Sequence, residues 1–202
     1  MTDNARPIVF LDLDETLICS FETMTVTYAQ AAYDRAMLKQ HSPSNEHARR
    51  RARIRLDQLK SAVPVSSKYM AIVRPDAQEA IDFLGAFAEI HIFTAADAEY
   101  ASAVCKVAGF KFKPGEGRIF TLRNPGLDMR WAIHRPWVLL DDTPGFAKIT
   151  FLEDLNFETR VIQVDPLDLG DECLPLMGYA KEAARRLGFT DPHHRSTSTP
   201  QA

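Results

Sequence analysis

The stretch Ile8-Val9-Phe10-Leu11-Asp12-Leu13-Asp14-Glu15-Thr16-Leu17 decides how this 202-residue chain is read. Its first four residues are apolar without alternation, the pattern of a strand buried on both faces of a parallel sheet. In open parallel sheets the ligand crevice lies just beyond the carboxyl ends of the strands. Strand alternation sends Asp12 and Asp14 in a related direction and Leu13 away from it. Two carboxylates crowded there repel each other. A hard cation such as Mg²⁺, held by one or two carboxylates plus water and phosphate oxygens, relieves that repulsion. One carboxylate can then attack phosphorus while the other handles a proton. Taken alone, the same residues also describe a surface turn after a strand.

Three more apolar runs share the pattern of the first: Glu89–Thr94, Trp137–Leu140 and Arg160–Val164. Helical spacing lies between them. Ala77, Ala80, Ile81, Leu84 and Phe87 follow Pro75, which suits a first turn. Ala101, Val104, Cys105 and Ala108 recur the same way, with Asp97 as N-cap and Gly109 as stop. A last helix is expected over 171–187, interrupted around Pro175–Gly178. This order implies an α/β fold, a doubly wound, Rossmann-like parallel sheet with helices on both faces. One domain is expected over 1–190, with a polar, disordered tail over 191–202.

Two stretches interrupt the rhythm. Residues 20–67 form a helical insertion after the first strand, and Ala48, Ala52, Leu56, Leu59 and Val63 make an apolar stripe along its second half. Residues 111–136 read as loops around a short hairpin near Arg118–Leu122.

Composition narrows the function classes. The net charge is −3 and the pI about 6.1, which excludes nucleic-acid binding through bulk charge. The exception is 46–60, where six basic residues meet Glu46 and Asp57; its arginines read as a solvated helix face. Cys19, Cys105 and Cys173 are odd in number and form no CxxC pair, as in a reduced cytoplasmic protein. No run approaches the roughly 20 apolar residues of a membrane span. The N-terminus enters a strand-like run without a signal-peptide pattern. His91 reads as a core histidine, Trp131 and Trp137 as packing residues, and Cys19 as a thiol without a companion base.

The other strand ends add to the chemistry. The second closes on Phe93-Thr94-Ala95, a hydroxyl and free backbone N–H groups that suit a phosphoryl oxygen. The third closes on Asp141-Asp142-Thr143-Pro144, a pair of acids able to complete a metal site. Acids, a hydroxyl and more acids thus fall at the ends of three apolar strands.

In this pattern the chain resembles the haloacid dehalogenase superfamily. Val73-Arg74-Pro75-Asp76, Glu99-Tyr100-Ala101 and Asp171-Glu172-Cys173-Leu174-Pro175-Leu176 narrow the likeness. They resemble the branch of the RNA polymerase II C-terminal-domain small phosphatases and the nuclear-LIM-interactor-interacting-factor-like proteins. The resemblance covers roughly residues 6–20 and 69–180. It implies a Mg²⁺-dependent phosphatase that forms an aspartyl-phosphate on Asp12. Asp14 matches the general acid/base, and its backbone carbonyl faces the metal. Thr94 matches the phosphate-binding hydroxyl, and Asp141 and Asp142 the acidic pair, with Asp142 the favoured direct ligand. The implied partner is a phosphorylated small molecule or phosphoprotein; nothing in the sequence speaks to oligomeric state.

Two departures stand out. The family lysine between the second and fourth motifs is missing, since no lysine lies between Lys113 and Lys148. Arg123 sits nearest the expected place, with Arg130 as competitor. The insertion over 20–67 reads either as a cap over the site or as a decorative helical hairpin. Two other readings keep the same fold: a catalytically weak phosphate-binding or interaction module, and a phosphotransferase to an acceptor other than water.

Overall fold

The computed structural model describes residues 5–22, 25–39, 45–121, 134–145, 147 and 156–189. Arg123, Arg130, Trp131 and the expected tail lie outside the described residues.

Strand β1 (Ile8–Leu11) is fully buried and sits at the centre of a five-stranded sheet. Chain order then runs β2 (Ile18–Glu22), α1 (Thr25–Leu38), α2 (Glu46–Ser61), β3 (Val63–Pro64), β4 (Tyr69–Val73), α3 (Ala77–Leu84) and β5 (Glu89–Thr94). It continues with α4 (Ala98–Ala108), β6 (Ile119–Thr121), β7 (Trp137–Asp141), α5 (Phe157–Arg160), β8 (Val161–Gln163) and α6 (Leu176–Arg186). The sheet order is β6-β5-β1-β7-β8, with every pairing parallel. The expected doubly wound parallel sheet is present, and its order reverses around β1. That reversal opens the ligand crevice beside β1.

Alternation along β1 divides the core. Val9 and Leu11 join a cluster with Ile90, Ile92, Leu140 and the apolar faces of α3, α4 and α6. Ile8 and Phe10 face the other way, toward Phe93, Phe120, Trp137 and Phe157 of α5. Burying each such side chain contributes roughly 1.5–3 kcal/mol. His91 belongs to this second side, 1% exposed and packed against Phe10 and Phe120. Burial pushes its pKa down to about 4, so it is a neutral core histidine.

Helix α4 follows its sequence signals closely. Asp97 caps it by accepting from the Tyr100 amide at 2.8 Å, and Gly109 ends it at φ +73°. A side chain would strain at that φ. Other expectations need correction. Of the hairpin expected near Arg118–Leu122, the described residues hold strand β6, paired parallel with β5, and Leu122 onward lies outside them. The last helix starts at Leu176, because the residue before a proline avoids the helical region and Leu174 precedes Pro175. Gly178 lies inside its first turn without interrupting it.

The insertion contains more than helices. Strand β2 runs into it and β3 closes it, and both pair antiparallel with β4 in a second, three-stranded sheet. Helix α2 forms as the apolar stripe implies, though only Ala52 of that stripe is fully buried and Val63 belongs to β3. Arg55 of α2 pairs with buried Asp34 of α1 at 3.2 Å. The arginine run is a docking face in part. Arg50 pairs with Glu172 and Arg51 with Asp171, and both acids lie in the segment before α6. Gln58 adds bonds to backbone: it donates to the Asp171 carbonyl at 3.1 Å and accepts from the Gly170 amide at 2.7 Å. Gly170 is at φ +96°, and a Cβ there would stand 2.8 Å from the Arg55 guanidinium. No helix among the described residues is long and apolar enough to cross a membrane.

One buried cation ties these parts together. The Arg74 guanidinium, 1% exposed, donates to four backbone carbonyls: Thr16 at 2.7 Å, Glu15 at 3.1 Å, Asp165 at 2.8 Å, and Leu174. It thereby joins the turn after β1 to the segment on which α2 docks. Replacing it strands several buried acceptors, a loss only partly offset by no longer burying a charge. Arg74→Met is expected to destabilise the fold by about 2–4 kcal/mol in urea unfolding. Arg74→Lys should recover little, because three donors on one nitrogen cannot reach four diverging carbonyls.

Candidate active site

The register of the sheet builds the site. Leu11 pairs with Ile92 on one side and with Leu140 on the other. The next residue, Asp12, donates its amide to the Leu140 carbonyl at 2.9 Å. Asp12 therefore stands beside Asp141, and the end of β5 brings Thr94 to the same level. All three are buried: Asp12 is 9%, Asp141 6% and Thr94 2% exposed. Asp14, Glu15 and Asp142 join them around a cavity of about 210 Å³, with Thr143, Ala95 and Ala96.

The carboxylates are crowded. One oxygen each from Asp12, Asp141 and Asp142 lies within 4.8 Å of the others. Burial is the largest force pushing the Asp12 carboxyl well above its ordinary range, and the Asp141, Asp142 and Asp14 charges add to it. A bond from the Leu13 amide opposes them. Burial likewise raises Asp141 to about 6. Such a cluster of hard oxygens fits a small divalent cation such as Mg²⁺. It offers no sulfur or imidazole ligand among its members.

Threonines orient the acids. The Thr16 hydroxyl donates to Asp142 Oδ1 at 3.4 Å and accepts from the Asp142 amide at 3.1 Å. The Thr143 hydroxyl donates to Asp142 Oδ2 at 2.7 Å, and the Thr143 amide to Asp141 Oδ1 at 2.7 Å. Thr94 accepts from the Ala96 amide at 3.2 Å while lining the cavity.

Asp14 is placed differently from the trio. Its Oδ1 accepts from the Ser20 hydroxyl at 2.9 Å and from the Tyr100 hydroxyl at 2.8 Å. Its carboxylate is not a member of the three-acid cluster. The turn around it carries strain: Glu15 is the one non-glycine residue at positive φ among the described residues, at +63°. Its amide donates to Ile18, and its carbonyl accepts from the Leu167 amide and Arg74. These bonds hold a conformation that costs roughly 1–3 kcal/mol.

Of the sequence-based candidates, the structure gathers Asp12, Asp14, Thr94, Asp141 and Asp142 around one cavity. Arg123 and Arg130 fall outside the described residues. No described residue of 20–67 lines the cavity, and no lysine or arginine does among the described residues. Cys19 is buried, with its thiol pushed up to about 11, which suits packing rather than nucleophilic attack. Residue-level reading gave no role to Thr16, Ser20, Arg74, Tyr100 or Thr143. Thr16 and Thr143 carried a signal, being hydroxyls one or two residues from an acid at a strand end. Arg74 and Tyr100 stood in family-like motifs without a role, and Ser20 carried no signal until β2 was folded against the turn.

The crowding has a thermodynamic consequence. Asp12 and Asp141 hold protons more tightly when folded than when unfolded, where an aspartate titrates near about 3.9. Between that value and about 6 for Asp141, the folded chain binds more protons. Without divalent cation, this contribution to stability is present at low pH and is lost as pH rises through that window. Asp141→Asn removes the charge. In thermal unfolding with chelator it is expected to melt above wild type at neutral pH, with the difference shrinking toward about pH 4. Added Mg²⁺ should reverse the order.

Comparison with known proteins shows the family and the fold. Residues 7–121, more than half of the chain, match the NLI interacting factor-like phosphatase family. The match holds Asp12, Asp14, Arg74, Thr94 and Tyr100; Asp141 and Asp142 lie beyond it. No curated protein sequence matches the chain significantly. Among solved structures, it is similar to Fcp1, an essential RNA polymerase II CTD phosphatase, with a TM-score of 0.50 and 18% identity over 91% of this chain and 49% of that one. A variant of fission yeast Fcp1 bound to beryllium fluoride gives 0.49 and 18%, over 91% and 51%. A haloacid dehalogenase-like hydrolase from Burkholderia xenovorans LB400 gives 0.44 and 16%, over 90% and 99%. The chain thus spans about half the length of the Fcp1 chains, and at 18% identity the first of these matches shows likeness of fold. On the match over 7–121, this chain belongs to the NLI interacting factor-like phosphatase family.

Proposed function

We propose that the chain is a Mg²⁺-dependent phosphomonoesterase that works through an aspartyl-phosphate on Asp12. The observation that carries this reading is the meeting of three carboxylates within 4.8 Å of one another, beside buried Thr94, at the carboxyl ends of β1, β5 and β7. Asp12, Asp141 and Asp142 would hold the ion, together with the backbone carbonyl of Asp14. When bound, Mg²⁺ supplies the positive charge that lets an anionic nucleophile meet an anionic phosphate.

The chain's own residues do the rest. An Asp12 oxygen attacks phosphorus in line, and Asp14 gives its proton to the leaving oxygen as the ester bond breaks. Asp14, now a carboxylate, takes a proton from water, which hydrolyses the acyl-phosphate and frees Asp12. Thr94 and an arginine bind the equatorial oxygens, with Arg123 proposed first and Arg130 as its rival. The cavity, about 210 Å³, has room for a phosphate group and is smaller than the roughly 300–1,000 Å³ of pockets that enclose a drug-sized ligand. That size supports a substrate whose body remains outside, a phosphoprotein side chain or an extended small molecule. The free thiols of Cys19, Cys105 and Cys173 support a reducing, cytoplasmic compartment.

Asp12→Asn is expected to retain less than about a tenth of wild-type turnover of an aryl phosphate, with its fold intact by circular dichroism. Exhaustive chelation should abolish wild-type turnover and Mg²⁺ should restore it. Activity that survives both treatments would contradict the mechanism, and a wild type without turnover would leave phosphate binding as the function. For the phosphate-binding cation, Arg123→Ala should cost at least about tenfold more turnover than Arg130→Ala at saturating Mg²⁺. The reverse ratio would move the role to Arg130.

A further inference from the structure

Two hydroxyls meet one oxygen of Asp14. Tyr100, from the first turn of α4, donates to Oδ1 at 2.8 Å, and Ser20, from β2, donates to the same Oδ1 at 2.9 Å. Both hydrogen bonds that the Asp14 carboxyl accepts among the described residues fall on that oxygen. The other, Oδ2, is left as the oxygen to carry a proton toward the cavity that Asp14 lines. The donors come from elements that reach the turn independently. Helix α4 is set by its Asp97 cap, which bonds the Tyr100 amide itself. Strand β2 is set by its pairing with β4, where Ser20 faces Ala71. The Tyr100 ring packs edge-on against Tyr69 of β4, with centroids 6.2 Å apart, which fixes where its hydroxyl points. Burial pushes the Tyr100 phenol above its ordinary range, so it remains a donor.

We propose that Tyr100, seconded by Ser20, is a positioning residue that pins Asp14 Oδ1 and so presents Oδ2 as the acid for the leaving group. This rests on the phosphatase reading above and deepens it: the small antiparallel sheet becomes the support of the catalytic acid. A pinned carboxyl spends its time in the productive rotamer. Freed, it samples others, and a proton out of line with the leaving oxygen does not assist bond breaking. The loss should scale with how much the leaving oxygen needs that proton.

The test uses two substrates. Phenyl phosphate has a poor leaving group and needs the proton; dinitrophenyl phosphate has a good one and does not. The readout is kcat/KM, which ends at the first irreversible step and so excludes the later hydrolysis of the acyl-phosphate. Tyr100→Phe keeps the ring and its packing and removes only the hydroxyl. It is expected to lower kcat/KM for phenyl phosphate by about 10- to 100-fold. For dinitrophenyl phosphate the loss should stay below about threefold, within the scatter of a lost peripheral contact. Ser20→Ala should show the same split with a smaller loss. Equal losses on both substrates, or no loss on either, would overturn the proposal: the first marks a structural or substrate-binding tyrosine, the second an idle one. If the wild type turns over neither substrate, the phosphatase reading itself fails. Crystal structures of wild type and Tyr100→Phe then decide the positioning claim, which an unmoved Asp14 carboxyl would refute.

Discussion

Three carboxylates held within 4.8 Å of one another are an unfavourable arrangement, and much of the surrounding structure serves to maintain it. Left free, Asp12, Asp141 and Asp142 would turn apart into water. The sheet register keeps Asp12 level with Asp141, and burial removes the solvent that would screen them. Thr16 and Thr143 then take the Asp142 carboxylate by its two oxygens. The fold therefore holds the repulsion in place, and a divalent cation bound there would relieve it.

That frame depends on contacts between distant parts of the chain. The turn carrying Asp14, Glu15 and Thr16 has a residue at positive φ and several carbonyls facing inward. Arg74 satisfies two of them and, with the same guanidinium, two more before α6. An arginine is suited to this because its planar fork reaches diverging acceptors, which a lysine ammonium does not. The segment before α6 is in turn where α2 docks through Gln58, Arg50 and Arg51. The insertion thus buttresses the rear of the turn that carries Asp14, and its described residues leave the cavity unlined. The exposed ion pairs in this contact contribute little singly. The bonds to backbone and the buried Arg55–Asp34 pair define the geometry.

Much of this was legible before folding, and the reasons are local. Ile8–Leu11 is apolar on both faces, so its place in the middle of a covered sheet could be read directly. Asp97 and Gly109 bracket α4 by capping rules that need only neighbouring residues. The acids and the threonine at the strand ends, Asp12, Asp14, Thr94, Asp141 and Asp142, could be named from position alone, because parallel strands bring their carboxyl ends together. Where reading failed, the missing information was non-local. The parallel pairing of β6 with β5 was not legible because three residues do not reveal their partner. The second sheet was missed because Ile18–Glu22 lies in a stretch that resembled the start of an insertion.

The sequence by itself determined the fold class and the identity of the acids, since both follow from hydrophobic period and from the chemistry of strand ends. It did not determine which carboxylates share the cluster and which stands apart. Asp12 and Asp14 are two residues apart, yet one joins Asp141 and Asp142 while the other turns to Ser20 and Tyr100. Nor did it show that the arginines of α2 face a loop more than 110 residues away in sequence. Only the tertiary structure decided these, because a side chain's direction is set by the hydrogen-bond partners and packing that distant segments bring to it.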